Sequence, residues 1–142
     1  MMFLLDTNVV SELRKIRSGR ADAHVAEWAD SQDPAGLFLS AITIQELSIG
    51  ILRAERRDIA QGTVLRAWLD NHVLPTFHGR ILAFDMAVAL RSAQLHVPDP
   101  RPLQDGLIAA TALVHGMTVV THNVADFAGM GVPLLDPWQV VR

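Results

Sequence analysis

The sequence predicts an α/β protein: a three-layer α/β/α sandwich around a parallel sheet of about five strands. Short apolar runs alternate along the chain with longer segments of helical periodicity. The connections between successive runs are too long for hairpins, which points to parallel pairing through crossover helices. The runs are also continuously apolar rather than alternating, as strands covered on both faces are.

The elements follow in order. Met2–Leu5 is wholly apolar and ends at Asp6, so it reads as a first strand. Asp6-Thr7-Asn8 is a tight polar turn, and Val9, Val10 and Leu13 then fall at helical spacing, with Thr7 or Asn8 as cap. Ser18-Gly19-Arg20 is a break. Asp22–Ser31 is helical, with Val25, Trp28 and Ala29 on its apolar face. After the Asp33-Pro34-Ala35-Gly36 turn, Leu37–Ser40 is a second strand. A long helix over Ile42–Arg57 turns Leu47, Ile51 and Ala54 inward, and Gly62–His72 continues in helix. Arg80–Phe84 is a third strand, and Asp85 caps a helix running to Leu95. The Pro-rich loop from Val97 to Pro102 cannot be helix interior. Leu103–His115 is apolar nearly all round, hence a buried helix, stopped by Gly116. Met117–Thr121 is a fourth strand, Asn123 opens a short helix, and Leu134-Leu135 is a candidate fifth strand.

The 142 residues suit one domain, 1–142, with half of them apolar and ample for a core. A formal net charge of -3 excludes a basic field over the whole surface, so any nucleic-acid contact is local or helped by a metal. With no cysteine, disulfides, thiolate zinc sites and a Cys nucleophile are excluded together. The longest apolar stretch, Leu107–Val114, is too short for a bilayer, and the N-terminus lacks the basic start of a signal peptide. These features predict a soluble, cytoplasmic protein without a membrane partner.

In parallel sheets, sites form at the carboxyl ends of strands. Asp6 follows the first strand, and Glu46 stands in the first turn or so of the helix after the second. Asp105 lies near the start of the buried helix, and Thr121, Asn123 and Asp126 follow the fourth strand. Three or four carboxylates are thus expected at one edge. Two carboxylates about 4 Å apart repel by roughly 4 kcal/mol at an effective dielectric near 20. A divalent cation reverses that sign, and carboxylate oxygens suit Mg²⁺ or Mn²⁺. Such ions serve phosphodiester hydrolysis.

Each residue also has a plainer role. Asp6 is equally a helix cap, and Asp105 favours a helix N-terminus through its dipole. Glu46 reads as a solvated helix residue in all but its apolar neighbours, Ile42, Ile44, Leu47 and Ile49. Asn123-x-x-Asp126 has capping-box spacing. Glu12 reads as a surface carboxylate, and Thr7 and Thr121 as backbone or ligand hydrogen-bonders. The six histidines include no i, i+4 pair, although His122 lies beside the expected site. Arg53, Arg56 and Arg57 share a helix face interleaved with Glu55 and Asp58. Arg14, Lys15, Arg17 and Arg20 are the densest basic run, a substrate path or a docking surface.

Four segments together resemble a PIN domain, specifically the VapC-type toxins of bacterial toxin–antitoxin pairs. They are Phe3-Leu4-Leu5-Asp6-Thr7-Asn8-Val9-Val10-Ser11-Glu12-Leu13, Ser40-Ala41-Ile42-Thr43-Ile44-Gln45-Glu46-Leu47 with Gly50, Asp105-Gly106-Leu107-Ile108-Ala109-Ala110-Thr111-Ala112, and Thr121-His122-Asn123-Val124-Ala125-Asp126-Phe127. Pro137-Trp138 completes the pattern near the end. The resemblance implies a five-stranded parallel sheet and an Mg²⁺- or Mn²⁺-dependent endoribonuclease acting on RNA. It makes Asp6 and Asp105 the principal metal ligands, with Glu46 completing the site. Many relatives carry an acid where this chain has Asn123, so Asp126 is either its partial substitute or structural. The resemblance also implies a cognate antitoxin that enters the acidic groove, a homodimer, and promoter DNA bound only through the antitoxin complex. The alternatives are a non-catalytic PIN-like module that binds RNA or a partner, and a phosphatase with Asp6 as nucleophile. Asn8 counts against the second, which usually needs an Asp at that place.

Overall fold

A computed structural model describes residues 1–139; the last three residues of the expected domain lie outside the described residues. Five strands form one parallel sheet: β1 (Phe3–Leu5), β2 (Leu37–Ser40), β3 (Ile81–Leu82), β4 (Thr118–Val120) and β5 (Leu134–Leu135). Their order is β3-β2-β1-β4-β5, so β1 is central. Its Phe3 stands opposite Leu37 on one side and Thr118 on the other. The helices are α1 (Thr7–Leu13), α2 (Ala23–Asp30), α3 (Ala41–Arg57), α4 (Ile59–Trp68), α5 (Leu74–Thr76), α6 (Met86–Leu95) and α7 (Leu103–His115).

Strand alternation divides the core in two. Phe3 and Leu5 of β1 join Leu37, Leu39 and Val120 on one face, against Val9, Val10, Trp28, Leu47 and Ile51 from α1, α2 and α3. Leu4 and Val119 face the other way, against Ile108, Ala109 and Ala112 of α7 and Phe127. Each fully buried Leu, Val or Ile among them contributes roughly 1.5–3 kcal/mol relative to exposure. The expected three layers therefore form, with both sheet faces covered.

Several boundaries differ from expectation, each for a local reason. Asp6, rather than Thr7 or Asn8, caps α1, its Oδ1 accepting the Thr7 N–H at 2.8 Å. Ser40 caps α3 by accepting the Ile42 N–H, so Glu46 falls in the second turn rather than the first. The segment after Arg57 is re-capped by Asp58 and starts a separate helix, α4. This helix passes through a π turn at Leu69–Val73, whose widened spacing buries both Leu69 and Val73. Gly62 is required here, because a Cβ would fall 2.6 Å from the Glu55 Cα where α4 crosses α3. The third strand shrinks to Ile81–Leu82. Arg80 just before it donates to the carbonyls of Pro34, Leu37 and Thr76, tying β2, β3 and α5 together at the amino edge. Helix α7 is buried only through Gly106–Ala112, with Leu103 and Val114 exposed at its ends. Gly116 stops it in the left-handed conformation, as expected. No helix among the described residues is long and apolar enough to cross a membrane.

Candidate active site at the carboxyl edge of the sheet

β1 ends at Asp6, and the whole site is organised around that carboxylate. It is only 6% exposed. Its Oδ2 accepts the Thr121 hydroxyl at 2.8 Å and the Asn8 amide at 3.2 Å. Thr121 stands at the end of β4, next to β1, so strand pairing itself brings these two residues together. The Thr121 hydroxyl is fully engaged: it also accepts Asn8 Nδ2 at 3.3 Å and the Asn123 N–H at 3.0 Å. Asn8 Oδ1 takes the His122 N–H at 3.1 Å. Asn8 is therefore a bridge between the two strand ends.

Glu46 reaches the same edge from α3. Thr7 Oγ1 donates to its Oε1 at 2.7 Å and lies 3.4 Å from the hydroxyl of buried Thr43. Thr43 was missed in the sequence, although its place three residues before Glu46, on one helix face, is a usable signal. Asp105, half-buried in the first turn of α7, comes from the opposite layer.

The electrostatics are those of crowded like charges. Burial raises the Asp6 pKa; hydrogen bonds from Thr121, Thr7 and Asn8 oppose this, and the Asp126 charge adds to it. Burial also raises Glu46, opposed by the Thr7 hydroxyl and reinforced by Asp6. Asp105 is pushed up to about 6 by burial and then by Asp6, Asp126 and Glu46. Asp126 thus acts on both aspartates, although it is exposed and Asn123 makes no side-chain capping bond. The capping box expected from Asn123 and Asp126 does not form. The Asn123 N–H is taken by Thr121 instead, and the Asp126 charge acts on Asp105 and Asp6.

The donor chemistry here is carboxylate oxygen, from Asp6, Glu46 and Asp105 with the Asp126 charge beside them, and each of the first three has its pKa raised. Among the described residues no three His, Asp or Glu side chains converge tightly enough to share one ion. The set fits an ion held by one or two carboxylates and completed by water, which is the habit of Mg²⁺.

A groove of about 300 Å³ leads away from Thr7 and Glu46 between α1, α3 and α4. Leu47, Ile51, Leu65 and Trp68 form its apolar lining, and Arg14, Lys15 and Arg57 add positive charge. The Arg14 guanidinium lies 5.9 Å from the Trp68 ring centre. Part of the basic run therefore borders the site, whereas Arg53 and Arg56 do not line the groove. Glu12 departs from the surface role expected of it. It accepts the Asp22 N–H at 2.7 Å and Lys15 Nζ at 3.1 Å, which lower its pKa and latch the loop between α1 and α2. His122 packs on Trp138, ring centres 4.2 Å apart, and reaches Asp136 at 3.4 Å.

Known proteins share this fold and sequence. The chain is 38% identical to the "VapC ribonuclease Y4jK" of Sinorhizobium fredii over 146 residues, covering 97% of this chain and 99% of the relative. It is 38% identical to the "Toxin FitB" of Neisseria gonorrhoeae over 147 residues, with the same coverage. The solved structure of FitAB bound to an IR36 DNA fragment superposes with a TM-score of 0.84 at 34% identity, covering 99% of each chain. The PIN-domain family model matches residues 3–131. Fold and sequence agree over nearly the whole chain, and the chain belongs to the PIN-domain family.

Proposed function

We propose that this protein is a divalent-metal-dependent endoribonuclease and the toxin of a toxin–antitoxin pair. The observation that carries the reading is the buried, hydrogen-bonded Asp6 with Glu46, Asp105 and Asp126 acting on one another at the sheet's carboxyl edge. Relatives with the printed names ribonuclease and toxin, aligned over nearly the whole chain, support it.

Asp6 and Asp105 would hold Mg²⁺ or Mn²⁺, with Glu46 assisting. Such an ion would activate water and offset the charge that builds on a scissile phosphate. Asn8 and Thr121 orient Asp6, and Thr7 orients Glu46, which preorganises both carboxylates. The raised pKa of Asp105 marks a crowding of like charges that a bound cation would relieve. Cations along the groove, Arg14, Lys15 and Arg57, suit an RNA backbone entering beside Glu46.

The chain would work in the cytoplasm as a homodimer, held inactive by an antitoxin segment laid into the acidic edge. It would meet promoter DNA only within that complex. A second reading, a PIN module that binds RNA without cutting it, draws on Asn123 and on the absence of three converging ligands among the described residues.

The deciding experiment is cleavage of total cellular RNA by purified, antitoxin-free protein with Mg²⁺, Mn²⁺ or EDTA, beside the Asp105→Asn variant. Cleavage that requires the ion and vanishes in the variant supports the nuclease. RNA binding that is indifferent to EDTA, without cleavage, favours the binding module.

A further inference from the structure

The loop joining α6 to α7 is fastened in an unusual way. Arg101 Nη1 donates to the Ala128 carbonyl at 3.1 Å, and Nη2 reaches the Gly129 carbonyl at 3.4 Å. These carbonyls directly follow the 3₁₀ turn Val124–Phe127, which carries Asp126. Arg101 itself lies four residues before Asp105. One guanidinium therefore clips together the two segments that deliver Asp105 and Asp126, whose charges act on one another.

The clip is built from both sides. The Arg101 N–H is held by His96 Nδ1 at 3.1 Å, which anchors the loop to the end of α6. The His96 ring lies against α7, so a Cβ on Gly106 would fall 3.2 Å from Nε2. On the other side Gly129 has a φ of +81°, and a Cβ there would stand 3.0 Å from Arg101 Nη2. Only glycine combines that backbone with that approach. Phe127, between Asp126 and the clipped carbonyls, is buried beside Ile108 of α7, so the two segments also share a core.

We infer that Arg101 is a positioning residue for the acidic site, holding the Asp105 and Asp126 segments in register so that Asp105 faces the divalent ion with the Asp126 charge beside it. The inference rests on the metal-dependent reading above. Arg101 touches neither the ion's ligands nor substrate; it acts through the backbone. Orientation lost in this way weakens metal binding, as removing outer partners of metal ligands does by about 10- to 100-fold.

The test is Mn²⁺ affinity of the full chain by calorimetry, with amide exchange read over residues 103–106 and 126–130. Arg101→Ala should weaken Mn²⁺ binding by roughly tenfold and speed exchange in both segments. Arg101→Lys should lose roughly threefold, because a point ammonium cannot fork two carbonyls. Arg91→Ala, removing an arginine bonded to Gln94 on α6, should leave affinity unchanged. Parental affinity and exchange in Arg101→Ala would overturn the inference. If that variant does not fold, Arg101→Lys decides, and parental affinity there would do the same. Asp105→Asn separates the two claims: if it binds Mn²⁺ like the parent, the metal reading itself fails.

Discussion

The two ends of α1 carry carboxylates in opposite circumstances. Asp6, before the helix, and Glu12, near its end, each accept a backbone N–H, at 2.8 and 2.7 Å. Glu12 also meets Lys15 and has its pKa lowered, so its charge stabilises the fold. Asp6 is buried toward other acids and has its pKa raised despite three donors, so its charge costs stability. A group kept at such a cost is explained by chemistry rather than by folding. Sequence spacing alone does not separate them; surroundings from distant parts of the chain do.

The sharpest way to break this contrast is Asp6→Asn, which preserves the cap but removes the charge. RNA cleavage should fall by about 10³-fold, while the Tm holds or rises. Cleavage at the parent rate would remove Asp6 from the site. Next in size, Thr7→Val deletes the hydroxyl that fixes Glu46 at 2.7 Å. Turnover should drop about tenfold, mainly in kcat, as expected when an outer hydrogen-bonding partner is lost.

A third measurement concerns pH. Folded Asp105 keeps its proton up to about pH 6, against 3.8 for the ordinary group. The folded state thus binds more protons across that window, and stability falls as pH rises through it. In EDTA, the parent should lose about 1 kcal/mol more than Asp105→Asn between pH 4 and 7, after allowance for solvent screening. Denaturant titrations at the two pH values check this, and equal losses would place Asp105 outside the acidic field. Glu12 has the opposite sign: its stabilisation is present above its ordinary pKa of 4.5 and is lost as pH falls through the lowered value. Glu12→Gln should cost up to about 1 kcal/mol at pH 7 and leave cleavage unchanged, making it the smallest effect and the control for Asp6.

Much of this was legible because short parallel strands impose strong local patterns. Continuous apolar runs placed β1, β2 and β4, and the rule that sites lie at carboxyl ends singled out Asp6, Glu46, Asp105 and Thr121. What stayed hidden depends on contacts between distant segments. The Asn123 and Asp126 spacing suggested a capping box, but Thr121 competes for the Asn123 N–H. Asn8 looked like a cap until two strand ends were seen to share it. The π turn after Trp68 follows from packing against the core and has no signature in helical periodicity.

The pairing of β1 with β4 has a consequence for synthesis. Phe3 aligns with Thr118, and Asp6 meets Thr121 across 115 positions of chain. Contacts so far apart close late, after the local helices have formed. A nascent chain emerging N-terminus first carries Asp6 long before Thr121 exists to hold it. Chains terminated before β4 therefore never assemble the site, which forms only once Thr121 has been made.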